Sequence, residues 1–298
     1  MTNQLVRMLS TGRNGTKFMA RLFADQGYLA FHEGLYLGEP IIALHHYLGW
    51  LGDKWKAGDS IHYEANSRFS RPYRREVQRL LKGRESQPNN HAGRVVVHSD
   101  HRFTAASPLV LREFADHDIA IKHLILIRNP LRTIHAMHIV EGEARAGLRE
   151  YRIRPQSFYS AKGVLAAAQI WANTYRMIAD HVSQFGEELF YILQLEEFSN
   201  QAESAKAVFD FLELPFDDAR YSAFTQQALT KPLRNAKQET ERNSDLFRDP
   251  NYVIPESELN QIGAEIQDVL ERFGRNWEAD LADYKQFHAR EKGQLGLT

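Results

Sequence analysis

Leu5-Val6-Arg7-Met8-Leu9-Ser10-Thr11-Gly12-Arg13-Asn14-Gly15-Thr16-Lys17-Phe18 is the stretch from which the fold can be read. Leu5–Leu9 has the length and apolar character of a buried strand. A glycine-containing turn follows, and then a helix expected over 16–26, with Phe18, Met19, Leu22 and Phe23 on one face and Gly27 as its stop. The two glycines of the turn, Gly12 and Gly15, let successive backbone N–H groups converge on an anion at the helix N-terminus. Arg13 and Lys17 flank that same end, where the helix dipole disfavours cations by a few tenths of a kcal/mol up to about 1. Cations set against the dipole point to a bound anion that offsets them. The loop is not the ATP-binding G-x-x-x-x-G-K-[ST] box, because Thr16 follows Gly15.

Working outward, short apolar runs alternate with helical patterns, the signature of βαβ units and a parallel sheet. Residues 95–98, 123–127 and 189–193 read as further strands, the second almost continuously apolar, as a strand buried on both faces should be. Asn129-Pro130 supplies a helix cap and a first-turn proline. Helices are expected over 161–185, with Val164, Ala168, Trp171, Tyr175 and Ile178 facing the core, and over 202–212. The expected architecture is α/β: a central parallel sheet flanked by helices, in a single domain spanning 1–298. Its polar 234–252 stretch reads as a mobile loop and 253–298 as a C-terminal helical segment.

The chain of 298 residues carries 37 Lys+Arg against 38 Asp+Glu, a formal net charge of −1, with 43% apolar and 25% charged residues. Those are the proportions of a globular protein, not of a disordered, collagen-like or coiled-coil chain. Binding of nucleic acid through bulk positive charge is not expected. With no cysteine, the chain has no disulfide, thiolate metal site or cysteine nucleophile. The N-terminal segment has no long apolar run, and no stretch approaches the 18 apolar residues of a membrane span. The expectation is a cytoplasmic protein without membrane insertion.

A second motif is Leu124-Ile125-Leu126-Ile127-Arg128-Asn129-Pro130. It is a buried strand that delivers an arginine to the sheet's carboxyl edge, where open α/β sheets bind ligands. A magnesium-holding strand would end in Asp; an Arg at that place suggests a second anion. Together the two motifs resemble the sulfotransferase family. Gly12-Arg13-Asn14-Gly15-Thr16-Lys17-Phe18 is similar to the family's opening loop, and Arg128-Asn129-Pro130 to its second signature. Leu195-Glu196-Glu197-Phe198 with Phe211-Leu212-Glu213-Leu214-Pro215 resembles its Y-E-D-L…F-L-G-L-P, and Lys231-Pro232 its late K-P segment.

The resemblance implies 3′-phosphoadenosine 5′-phosphosulfate as cosubstrate and no metal. The loop Gly12–Phe18 would hold the 5′-phosphosulfate, with Arg128, Arg132 and Lys231 completing the cosubstrate site. Ala136 stands where the family usually has a serine that bonds the 3′-phosphate; Arg132, one helical turn after Arg128, is the candidate to compensate. Arg13 and Lys17 would stabilise transferring charge. The family's base, a His or Glu after the second strand, maps to Glu33 first and His32 second.

His98, Asp100, His101 and Arg102 crowd the end of another strand. They read as acceptor-binding residues, with a zinc site as the alternative. Arg71, Arg75, Arg79 and Lys82 share one helical face, which is either a solvated surface or a dock for an anionic acceptor such as an acidic glycan. The acceptor is expected to be a small molecule or glycan. The rival readings are a kinase or NTPase, and a non-catalytic nucleotide- or glycan-binding protein of the same fold.

Overall fold

The computed structural model describes residues 3–11, 14–32, 67–82, 94–99, 104, 107–147, 163–230 and 252–294. Gly12, Arg13, Glu33, Asp100, His101, Arg102 and Lys231 lie outside them, as does 234–251 of the expected loop. The chain divides into two compact units, Met1–Ile127 with Met177–Lys231, and Arg128–Arg176 with Pro232–Thr298.

The first unit is built on strands β1 (Asn3–Leu9), β2 (Leu29–His32), β3 (Val95–Ser99), β4 (Ile119–Ile127) and β5 (Phe190–Gln194). They form one sheet in the order β2-β3-β1-β4-β5, and every pairing is parallel. Parallel neighbours need crossovers. Helices α1 (Thr16–Asp25), α2 (Ser67–Lys82) and α3 (Ser107–Phe114) lie in the first three. The chain leaves β1 toward one edge of the sheet and β4 toward the other, so the carboxyl ends of these two neighbours form the topological switch where α/β sheets bind ligands.

The expected strands are present, two of them extended at the start: β1 begins at Asn3 rather than 5, and β4 at Ile119 rather than 123. Its first turns alternate, with Ala120 exposed and Lys122 half-buried, which breaks the apolar run that marked the strand. Helix α1 ends as its glycine foretold. Gly27 adopts φ 95°, its N–H bonds Ala24 O and that of Tyr28 bonds Phe23 O, satisfying the last carbonyls of the helix.

In the second unit, α4 (Pro130–Gly147) opens under Asn129, whose Oδ1 accepts the Arg132 N–H at 3.1 Å. The expected cap is in place. The Asn129 side-chain amide also donates to Asp280 O and Asp283 Oδ2, each at 2.7 Å, tying the cap to the last helix, α10 (Trp277–Gln294). Helix α5 (Val164–Phe185) follows Gly163, which sits at φ 66°, three residues after the start expected from sequence. The boundary between the units falls within it, between Arg176 and Met177. Arg176 binds Asp268 and Glu265 of α9 (Glu256–Arg272). The first unit is completed by α6 (Leu195–Asn200), α7 (Ala202–Phe211) and α8 (Asp218–Thr230). No helix among the described residues is long and apolar enough to cross a membrane.

A polar row crosses the sheet where an apolar one would be ordinary. In register, Phe31 neighbours His98, His98 neighbours Arg7, Arg7 neighbours His123, and His123 neighbours Phe190. Arg7, His98 and His123 are all buried. Arg7 donates to Ser107 Oγ at 3.1 Å, His98 Nδ1 meets the Tyr73 hydroxyl at 2.8 Å, and the His123 ring stacks on Phe190.

Burial, with Arg7 and His181 close by, holds His123 well below the ordinary imidazole range; burial and Arg7 push His181 down to about 3. Both must be neutral to fold, whereas an unfolded imidazole gains its proton near pH 6.5. Below that value the unfolded state binds more protons, so stability falls with pH, by up to about 1.4 kcal/mol per pH unit for each histidine. Thermal unfolding midpoints should therefore drop between pH 6.5 and 5, above the carboxylate range, and His181→Leu should flatten that part of the curve. A flat wild-type profile over that interval would contradict it.

Candidate functional site

The site is built at the carboxyl end of β1. Ser10, the first residue after the strand, is fixed by Thr104: its N–H bonds Thr104 Oγ1 at 3.0 Å, and that hydroxyl donates back to Ser10 O at 2.9 Å. Ser107 bonds the Thr104 carbonyl, and Arg7 bonds Ser107. A buried chain of hydrogen bonds thus runs from the middle of β1 to the start of the loop. Within the loop, Asn14 is fully buried and its amide donates to Thr11 Oγ1 at 3.1 Å.

Gly15 caps α1 in the left-handed conformation, φ 77° and ψ 15°. A Cβ there would sit 2.5 Å from Leu195 Cδ2. The backbone angle therefore requires glycine, and any side chain there would also displace Leu195. Gly15 brings no side-chain cap to α1, and the first turn of the helix holds no acid, so the positive end of the helix faces the loop. Thr16 and Lys17 are the first two helical residues.

Thr16 is pinned on two sides. Its carbonyl accepts from Ser99 Oγ at 2.8 Å, and its hydroxyl lies 3.2 Å from His32 Nε2. His32 and Ser99 are register partners at the ends of β2 and β3. The sheet edge thus presents His32 to the first turn of α1.

Among the sequence candidates, Asn14, Gly15, Thr16, Lys17, Phe18 and His32 gather at this edge of the first unit. Phe18 is packed between Phe198 and Phe224, with ring centroids 6.4 and 5.3 Å away. His98 is 2% exposed and bonded to Tyr73, so its imidazole is engaged with α2. Arg128 and Arg132 belong to the second unit. The Arg132 guanidinium lies over the Phe287 ring at 3.9 Å and 3.7 Å from Asp283. Ala136 is 3% exposed. Among the described residues, no group of three or more His, Asp or Glu could hold a metal ion.

Sequence reading missed Ser10, Ser99, Thr104 and Ser107, which hold the loop in place. They lie singly in loops or at strand and helix ends; Ser10 adjoins the glycine loop and Ser99 sits within the His98–Arg102 cluster, while Thr104 and Ser107 adjoin no motif. It also left the role of Leu195-Glu196-Glu197-Phe198 open: Leu195 covers Gly15, and Phe198 packs on Phe18.

No family model and no curated protein matches the sequence. Among solved structures, the sulfotransferase STF9 from Mycobacterium avium aligns with 92% of this chain and 78% of its own, with a TM-score of 0.50 and 11% identity. The sulfotransferase domain from the curacin biosynthetic pathway aligns over 92% of this chain and 98% of its own, at TM-score 0.49 and 15% identity. That from the Synechococcus PCC 7002 olefin synthase covers 92% and 96%, at TM-score 0.47 and 16% identity. The chain has the sulfotransferase fold.

The cradle makes a direct test. Left-handed backbone costs a residue with Cβ about 1–2 kcal/mol, and the clash with Leu195 adds to it. Gly15→Ala should therefore lower the unfolding free energy by more than about 2 kcal/mol. Gly15→Ala combined with Leu195→Ala should recover the steric part alone. A denaturant-unfolding double-mutant cycle measures the coupling; strict additivity would show that Leu195 does not constrain Gly15.

Proposed function

We propose that the chain, acting as one sulfotransferase-like domain in the cytoplasm, transfers a sulfuryl group from 3′-phosphoadenosine 5′-phosphosulfate to an acceptor hydroxyl. The observation that carries this reading is the left-handed Gly15 at the open N-terminus of α1, in a sulfotransferase fold, with no acid in the helix's first turn. Such an end suits a doubly charged phosphosulfate. When bound, that cosubstrate supplies an already activated sulfuryl group, so the protein's part is positioning, charge stabilisation and removal of the acceptor's proton.

In this reading the loop Gly12–Phe18 binds the 5′ end, and Arg13 and Lys17 offset charge that builds on the leaving oxygen. Arg128, at the close of the second motif, binds the 3′-phosphate. Arg132, which lies over Phe287 and 3.7 Å from Asp283, is assigned beside it. Lys231 is assigned to the cosubstrate through its resemblance to the K-P segment. Asp100, His101 and Arg102 are assigned to the acceptor from their place after β3, while His98, buried and bonded to Tyr73, supports them from within the sheet. His32 is already bonded to Thr16, which suits it to holding the cradle. Glu33 is therefore assigned as base.

Two measurements test this. Arg128→Ala should weaken 3′-phosphoadenosine 5′-phosphate far more than adenosine 5′-phosphosulfate, which lacks the 3′-phosphate; equal losses would remove Arg128 from that contact. Magnesium-dependent ATP turnover by the wild type would favour a kinase instead.

In a turnover series at saturating acceptor, Lys17→Ala should lose about 10²-fold or more, the scale of one preorganised charge contact at ~2.7–4 kcal/mol. Glu33→Gln should abolish turnover with cosubstrate affinity retained, and His32→Ala should lose much less. An inactive His32→Ala beside an active Glu33→Gln would transfer the base to His32.

A further inference from the structure

On helix α2 the fully exposed side chains are of one kind among the described residues. Its exposed side chains among the described residues are Arg71, Arg75, Arg79 and Lys82, every one a cation. Tyr73, Val77 and Leu81 are buried on the opposite side, in a core with Leu5, Val96, Phe114 and Ile121. The spacing brings the four cations round once per turn, so they form one straight row about 16 Å long. The helix's single acid, Glu76, is bonded to Arg79, with Nε to Oε2 at 2.7 Å. Arg74 is turned aside to Glu113 of α3 at 2.8 Å and stands outside the row. Four cations less one carboxylate leave three positive charges on this face, in a chain whose formal net charge is −1.

The row also leads somewhere. Tyr73, two residues from Arg71, bonds His98, and the next residue, Ser99, holds the Thr16 carbonyl in the cradle. One end of the row therefore lies at the sheet edge that carries the candidate site.

We infer that this row docks an acidic glycan, a linear carbohydrate with repeated carboxylate or sulfate groups, and leads it to the cradle as the acceptor. Only the word acceptor rests on the sulfotransferase reading. Among the described residues the row has no exposed aromatic or aliphatic side chain, and folded-protein interfaces depend on such anchors. Single-stranded nucleic acid depends on aromatic stacking platforms, which the row also lacks. A glycan needs neither. It presents regularly spaced anions to a regularly spaced row, and it carries the hydroxyls that a sulfuryl transfer requires.

The test uses the full chain without cosubstrate and a fluorescent uronic-acid hexasaccharide, with a neutral hexasaccharide, duplex DNA and an acidic peptide as competitors. The wild type should bind the uronic-acid oligomer at least tenfold more tightly than any of the other three. The combined variant Arg71→Gln, Arg75→Gln, Arg79→Gln, Lys82→Gln should lose at least tenfold in affinity with an unchanged unfolding midpoint. Its slope of log affinity against log salt should fall toward zero, from a wild-type value of at most about 3 in magnitude, at ~0.7 per neutralised charge.

Single Arg71→Gln and Lys82→Gln variants, each expected to lose part of the affinity, give the same reading should the combined variant fail to fold. Equal affinity in wild type and variants overturns the inference, as does preference for DNA, peptide or the neutral oligomer. If the wild type sulfates a small neutral acceptor yet ignores the acidic oligomer, the docking is wrong and the transferase reading stands. If the oligomer binds through the row but no acceptor is ever sulfated, the docking stands and the transferase reading falls.

Discussion

Leu195 lies over Gly15, and the site is built around that left-handed turn. A left-handed residue at the start of α1 turns the backbone so that the helix's positive end opens at the carboxyl edge of β1. The side chain above it comes from the first residue after β5, at the far edge of the sheet. Cradle and edge strand are thereby in close approach: a Cβ at position 15 would displace the Leu195 side chain. The aromatic contacts of Phe18 with Phe198 and Phe224 extend this packing along α1.

The polar row within the sheet has a different physical character. Arg7, His98 and His123 occupy central positions that hydrophobic residues would fill at less cost, because buried polar groups need partners. Each engages a definite group: Ser107, Tyr73 and the Phe190 ring. Through Ser107 and Thr104, the Arg7 contact reaches Ser10 at the mouth of the loop. The row therefore does two things at once. It specifies which helices cover the sheet, and it holds the loop from beneath. A neutral His123 at its centre, with His181 close to Arg7, is the cost of that specificity, expressed as sensitivity to acid.

The remaining sequence signatures resolve into structural work. Phe211-Leu212-Glu213-Leu214-Pro215 closes α7: Glu213 stands at φ 56°, where the resembled family motif has glycine, Leu212 O accepts from Gln4, and Pro215 O accepts from Tyr28 at 2.7 Å. Asn129 does the corresponding work in the second unit. One side chain caps α4 and grips α10, so the residue beside Arg128 is held at several points. Motifs that looked like ligand contacts thus divide into those that frame a site and those that shape its surroundings.

The sequence alone was enough for the α/β class, the strand–turn–helix at the cradle, the cap at Asn129, the stop at Gly27 and the cationic face of α2. Each rests on short-range physics: the turn that two glycines permit, the missing N–H of proline, the period of a helix or strand. It could not supply the strand order, the pairing of Arg7 with two histidines, the cover over Gly15, or the engagement of Arg132 with Asp283 and Phe287. Those join residues tens to well over a hundred positions apart, as from Gly15 to Leu195 or Arg132 to Phe287. Local propensity carries no record of such distant partners. Only packing the strands and helices together decides which of them meet.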